Sequence, residues 1–215
     1  MWNWSFVQDI LPSLLHGLLV TVEATVLGYV LALVLGLAVA VLRRSAGPVT
    51  GQLLRWVVEF IRSTPLLVQL FFLFYVLPGF GITLSPLTTG VLGLGVHYAA
   101  YTSEVYRAGI ESVPRGQWEA ATALNLPNRR VWLGVVLPQA VPNVIPALGN
   151  YVIAMFKDSP LLLAITVPEM LHEAYAAGST SFRMLEPMTL VGLLFVAVSV
   201  PAGLIVRRLE RRYGN

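Results

Sequence analysis

His97, Tyr101 and Glu104 recur at helical spacing inside a long apolar stretch, and Ala108 continues the same face. Residues three and four apart stack on one side of a helix. An imidazole, a phenol and a carboxylate therefore share one polar stripe. Ionisable groups among apolar neighbours cost at least about 2.5 kcal/mol each in lipid, so such a stripe faces a cavity or a partner. In a second apolar stretch, Thr64 and Pro65 interrupt the backbone ladder and Gln69 follows. A kinked, amide-bearing helix beside a carboxylate can hold the ammonium and carboxylate of a zwitterion. Thr64, Gln69, His97, Tyr101 and Glu104 are thus the candidate solute path. Glu104 has a second reading as a structural ion pair with Arg107 or Arg62, and His97 as a satisfied core side chain. Glu59 and Arg62, three apart, read as an ion pair and gate strut, with Arg107 beside them.

Other chemistry is missing from the chain. A phosphate-binding loop needs GxxxxGK followed by Ser or Thr, and the single lysine, Lys157, follows Phe156. There is no HExxH, no GxSxG and no cysteine. No metal is expected, and this chain carries no cofactor of its own.

The elements that position these residues follow from composition. Of 215 residues, 56% are hydrophobic and 12% charged, about half the charge fraction of a soluble domain, and mean hydropathy is +0.74. Such a chain belongs in lipid. Its net charge of +3 is scattered at the ends of apolar runs, a topology signal and not a nucleic-acid patch. A span needs about 20 apolar residues. Five stretches qualify or nearly so: about 14–42, 53–77, 87–110, 131–156 and 188–206. Met1–Asp9 carries no positive charge, so no cleaved targeting segment is expected. Arg43, Arg44 and Arg55 share the first link, Arg107, Arg115, Arg129 and Arg130 the third, and Arg207, Arg208, Arg211 and Arg212 the C-terminus. The excess of arginine on inner loops predicts an outside N-terminus and a cytoplasmic C-terminus. From Asp158 to Leu171 the chain is apolar yet opened by Pro160 and interrupted by Pro168. It is too short to cross, so a short or re-entrant helix on the outer side is expected. Pro138, Pro142 and Pro146 predict a bent fourth span, with Asn143 and Asn150 on a face of their own. Glu23, in the upper half of the first span, is left without an account.

Between the third and fourth stretches, Pro114 and Gly116 break one helix, Glu119 to Leu124 suit a short new one, and Pro127 ends it. Here the sequence resembles the loop of ATP-binding-cassette (ABC) importer permeases written EAA, three residues, G, nine residues, I, one residue, LP. Glu119, Ala120, Ala121, Leu137 and Pro138 fall at the expected spacing, with Asn125 for the glycine and Val135 for the isoleucine. Asn tolerates the left-handed backbone that Gly would supply. The runs from Glu59 to Gln69 and from Ala100 to Ile110 look like the second- and third-span signatures of the polar amino acid branch, the histidine, glutamine, arginine and ectoine type. The resemblance covers roughly residues 10–210.

It implies an all-α, five-helix transmembrane bundle of the type I importer kind: a single permease domain over residues 1–215 with a coupling loop at about 112–130. By resemblance, Gly116, Glu119, Ala120, Ala121, Asn125 and Pro138 belong to the coupling helix and its turn, which dock on an ATPase. ATP and Mg would then sit on partner ABC ATPase subunits. A second permease, identical or homologous, an extracytoplasmic solute-binding protein and membrane lipid complete the expected partners, without nucleic acid. The expected place is the bacterial cytoplasmic (inner) membrane. A secondary transporter or channel for small polar solutes is the rival from another class, and it leaves the EAA spacing unexplained.

Overall fold

The computed structural model describes residues 2–213. Among them there are helices and links but no strand. In chain order the helices are α1 (Trp4–Ser45), α2 (Pro48–Ser63), α3 (Leu66–Phe71), α4 (Pro86–Glu111), α5 (Arg115–Ala123), α6 (Asn128–Arg130), α7 (Leu137–Asp158), α8 (Met170–Ser181) and α9 (Leu185–Tyr213). Wider π turns at Phe72–Val76 and Val131–Val136 extend α3 and lead into α7, and a 3₁₀ stretch at Ser159–Ile165 continues α7.

α1 is the frame. The Asn3 side chain caps it by accepting from the Ser5 and Phe6 amides, and the Asn3 amide donates to Glu186 at the start of α9 (3.0 Å). Along the helix Gly17, Thr21, Ala24, Gly28, Ala32, Gly36 and Ala40 are buried, while Leu19, Val26, Val30 and Val34 point out. Small residues inward and large ones outward is the reverse of a soluble helix. It suits lipid, where close backbone approach drives association in place of the hydrophobic effect. α1 packs most extensively on α4: Gly28 lies against Leu94, Gly95 against Leu31, and Gly36 against Ala99, Thr102 and Ser103.

α1, α9 and the continuous Asn128–Ile165 stretch are each long and apolar enough to cross a bilayer. α2 and the helical run to Phe80 pass that test together but are bent by 101° at their junction. The kink that Thr64 and Pro65 predict in the second span is here a full break between two helices. Thr64 is extended (φ −103°, ψ 136°) because the residue before a proline is pushed out of the helical region. α4 has 26 residues but more polar side chains, and it touches α1, α2, α3 and α7. A central helix shielded by others need not be uniformly apolar. A π turn lies just before α7, and α7 stays helical through Pro142 and Pro146. Asn143 and Asn150, seven apart on one side of α7, donate to Ser112 and to Glu210.

The Asp158–Leu171 segment is the 3₁₀ stretch, a left-handed Thr166 (φ 61°) and the Glu169 cap of α8. Glu169 is fully buried, lies outside the candidate spans, and accepts from the Leu171 and His172 amides. Burial nevertheless outweighs these donors and the nearby Thr21 hydroxyl, pushing its carboxyl up from 4.5 to about 7. Since the folded state holds this proton more tightly than the unfolded chain, stability is full below pH 4.5 and is lost as pH rises through about 7. The loss amounts to about 3 kcal/mol. Glu169→Gln is expected to flatten the melting temperature between pH 5 and pH 8; an unchanged slope refutes the assignment.

Candidate functional site: a polar aromatic cluster and an outlying short helix

The break between α2 and α3 frees carbonyls that lipid cannot satisfy. Gln69 takes that task. Its amide nitrogen donates to the Ile61 carbonyl (2.8 Å), the Thr64 carbonyl (3.2 Å) and the Thr64 hydroxyl (2.7 Å). The Thr64 hydroxyl in turn donates back to Phe60 and Ile61. The remaining Gln69 acceptor lies 3.2 Å from Nδ1 of His97 on α4. The structure thus joins Thr64, Gln69 and His97 in one chain of hydrogen bonds, with the Gln69 donors committed to the break.

His97 opens an aromatic cluster. Its ring lies 5.5 Å from Tyr98 and 5.2 Å from Tyr101, and Tyr151 of α7 sits 6.0 Å from Tyr98 and 5.7 Å from Tyr101. A charged group stands at each end. The Tyr98 hydroxyl donates to Asp158 (2.6 Å), and the Arg62 guanidinium lies 5.3 Å over the Tyr101 ring. Arg62 also approaches Glu59 at 3.6 Å. Aromatic faces attract cations, Asp158 adds an anion and Arg62 a cation, so the cluster has the parts that receive an ammonium and a carboxylate together. Tyr98 and Tyr151, members of this cluster, are not singled out by the sequence. Tyr151 lies more than fifty residues from Tyr98 in the chain, and no spacing signals that they meet.

Glu104 belongs elsewhere. It binds Arg43 at the end of α1 and Arg107 one turn on (Nε to Oε2, 2.8 Å), and Arg107 also reaches Glu111 at 2.5 Å. Of the two partners the sequence offers, Arg107 pairs with it and Arg62 does not; Arg43, a topology signal in the sequence, is the additional partner. The carboxylate is a tie between α1 and α4.

At the same end of the bundle, Pro114 starts α5 and Leu124 closes it. Asn125 then takes the left-handed conformation (φ 49°) anticipated for the position of the family's glycine, and the Leu126 amide returns to the Ala121 carbonyl (3.1 Å). One face of α5 is held: Ala121 is buried, and Trp118 meets Trp132 edge-on at 5.5 Å within a cluster around Val113, Val136 and Ala140. The Arg44 guanidinium lies 5.0 Å from the Trp118 ring and 5.2 Å from Trp132, fastening α5 to the end of α1. The other face, with Gly116, Glu119 and Ala120, is exposed. Pro138 stands at the junction where the π turn at Val131–Val136 passes into α7.

A helical bundle built on close small-residue contacts, with polar groups inside and a short helix held at one end, defines a membrane transport subunit. Residues 28–215 match the family described as binding-protein-dependent transport system inner membrane component. The chain belongs to that family. It is 47% identical over 96% of its length to the probable amino-acid ABC transporter permease protein y4tG of Sinorhizobium fredii, covering 89% of that protein. It is 35% identical to the L-cystine transport system permease protein TcyB of Bacillus subtilis, over 97% of this chain and 92% of that one. The crystal structure of an amino acid ABC transporter with histidines superposes with a TM-score of 0.92 at 30% identity over 99% of both chains.

Proposed function

We propose that this chain is the permease subunit of an ATP-driven importer of polar amino acids or an amino-acid-derived solute, working in the bacterial inner membrane. The observation that carries the reading is the pairing of a tethered short helix with a free face. α5 is bound to the bundle through Trp118, Trp132 and Arg44, while Glu119 and Ala120 are open to a partner. That is the form of a coupling helix: an ATPase subunit pushes on the free face and the bound face moves α1 and α7. ATP and Mg act on that subunit. The family relationship supports a second permease chain and an extracytoplasmic binding protein as the remaining partners.

In this reading α4 is the third of five spans, the arginine-rich end is cytoplasmic and the N-terminus is outside. α1 has 42 residues, a length of about 63 Å against about 30 Å of hydrocarbon. Counting about 20 residues outward from Arg43 places the outer boundary near Glu23, whose exposed carboxylate then lies at the interface and not in mid-membrane. The solute path runs past His97, Tyr101, Tyr98, Tyr151 and Asp158, with Thr64 and Gln69 shaping the broken helix at its side and Glu59, Arg62 and Arg107 as gate struts. The names of the relatives, which specify cystine and glutamine, support the substrate class.

Glu119→Lys reverses the charge on the free face without touching the bound one. It is expected to reduce ATPase copurification and ATP-driven uptake roughly tenfold or more, as for a central interface residue, while the chain folds normally. Uptake in proteoliposomes that follows an ion gradient and ignores ATP overturns the reading in favour of a secondary transporter.

A further inference from the structure

A cavity of about 420 Å³ opens at the arginine-rich end, lined among others by Arg43, Arg44, Arg55, Arg107, Gln52 and Glu111. That volume lies within the range of small-ligand sites, roughly 300–1,000 Å³. Its charges do not cancel. Arg43 and Arg107 share the carboxylates of Glu104 and Glu111. Arg44 lies over two neutral indole rings, and among the described residues no ion pair engages Arg44 or Arg55. Two positive charges are left over. The start of α2 adds to them: Gly47 and Pro48 line the cavity, no side chain caps that helix, and its dipole is positive there.

The apolar surroundings say what kind of anion fits. Val49, Leu53, Trp56 and Phe60 of α2 are all exposed and recur at spacings of four, three and four, one apolar stripe along the helix. Pro48, Gly51, Gln52 and Arg55 lie to one side of that stripe and line the cavity. Charge inside and an acyl-length apolar strip at the rim match an amphiphile better than a free ion. Basic pockets between spans at the inner surface bind anionic headgroups. We propose that this cavity binds the phosphodiester headgroup of an anionic phospholipid, bridging α1, α2 and α4 beside the Glu104 tie.

The test is lipid retention on the full chain in mild detergent, read by native mass spectrometry with phosphatidylglycerol and, separately, phosphatidylcholine. Two variants probe the cavity. Arg55→Gln removes one unpaired charge. Gly51→Leu fills the space, because a Cβ at Gly51 meets only the Arg43 carbonyl at 3.6 Å. Phosphatidylglycerol is expected to bind preferentially, about fivefold more weakly in Arg55→Gln, the worth of one basic residue near an anionic surface, and to be lost from Gly51→Leu. Millimolar inorganic phosphate is expected not to displace it. Equal retention of the two lipids, or Arg55→Gln binding like the parent, overturns the proposal. Displacement by inorganic phosphate alone also overturns it, since it marks a free-anion site. Should Gly51→Leu not fold, Arg55→Gln carries the test. The proposal stands apart from the transport reading, because retention is measured without ATP or solute.

Discussion

Replacing Glu104 with glutamine is expected to lower both stability and ATP-driven uptake, and a second substitution at Arg43 is expected to restore much of the stability. In the folded chain the Arg43 side chain is only 12% exposed and Glu104 23%. Removing the carboxylate leaves Arg43 desolvated and unpaired. Breaking a buried pair from one side costs about 3–5 kcal/mol, and the residual exposure of Glu104 brings this to about 2–3 kcal/mol. Arg43→Gln alone exposes the same defect from the other side, although Glu104 keeps Arg107. The double variant removes both charges, so the two effects should fall short of additivity by about 1–3 kcal/mol. Thermal unfolding of the four proteins measures the cycle. Strict additivity would mean that the tie does not hold α1 to α4. If Glu104 instead contacted the solute, Glu104→Gln would alter solute affinity without the rescue at Arg43.

The second large effect concerns a position with no chemistry at all. A Cβ at Gly36 would lie 2.1 Å from the Thr102 hydroxyl, 3.0 Å from the Ala99 carbonyl oxygen and 3.0 Å from the Ser103 nitrogen. Two of these are backbone atoms of α4 and cannot swing aside. The hydroxyl is also occupied, donating to the Ala32 carbonyl of α1 at 2.9 Å. Gly36→Val must therefore push α1 and α4 apart, and overpacking of this kind costs about 1–3 kcal/mol before the lost hydrogen bond is added. The expected result is a melting temperature lower by several degrees, at about 2–4 °C per kcal/mol for a chain of this size, and a poor yield of monodisperse protein. Gly36→Ala combined with Thr102→Ala should recover part of the loss, because the nearest obstacle is gone. Gly116→Ala is the control: nothing lies within 4 Å of the added carbon, and no change in melting is expected. A Gly36→Val protein as stable as the parent would refute the close approach of the two helices.

These cases divide what could be read along the chain from what could not. Composition and the lengths of the apolar runs determined that the chain lives in lipid, because the bilayer imposes one length and one solvent on any span. The turn around Asn125 and the existence of a short helix before it were also legible, since Pro114, Pro127 and an Asn that accepts positive φ act within a few residues of themselves. The helix starts at Arg115, four residues before the expected Glu119, with Gly116 inside its first turn. The position of the break at Thr64–Pro65 was local too, but its 101° size was not. How far a broken helix turns depends on what its halves pack against. Only the tertiary structure decided which polar residues belong together. Glu104 shares a stripe with His97 and Tyr101, yet its partner is Arg43, sixty-one residues away, while His97 joins Gln69 and the tyrosines. Helical spacing fixes which side of one helix a residue occupies. Which neighbour waits on that side is set by the small-residue contacts of α1 with α4, a property of two surfaces fitted together and of neither stretch alone.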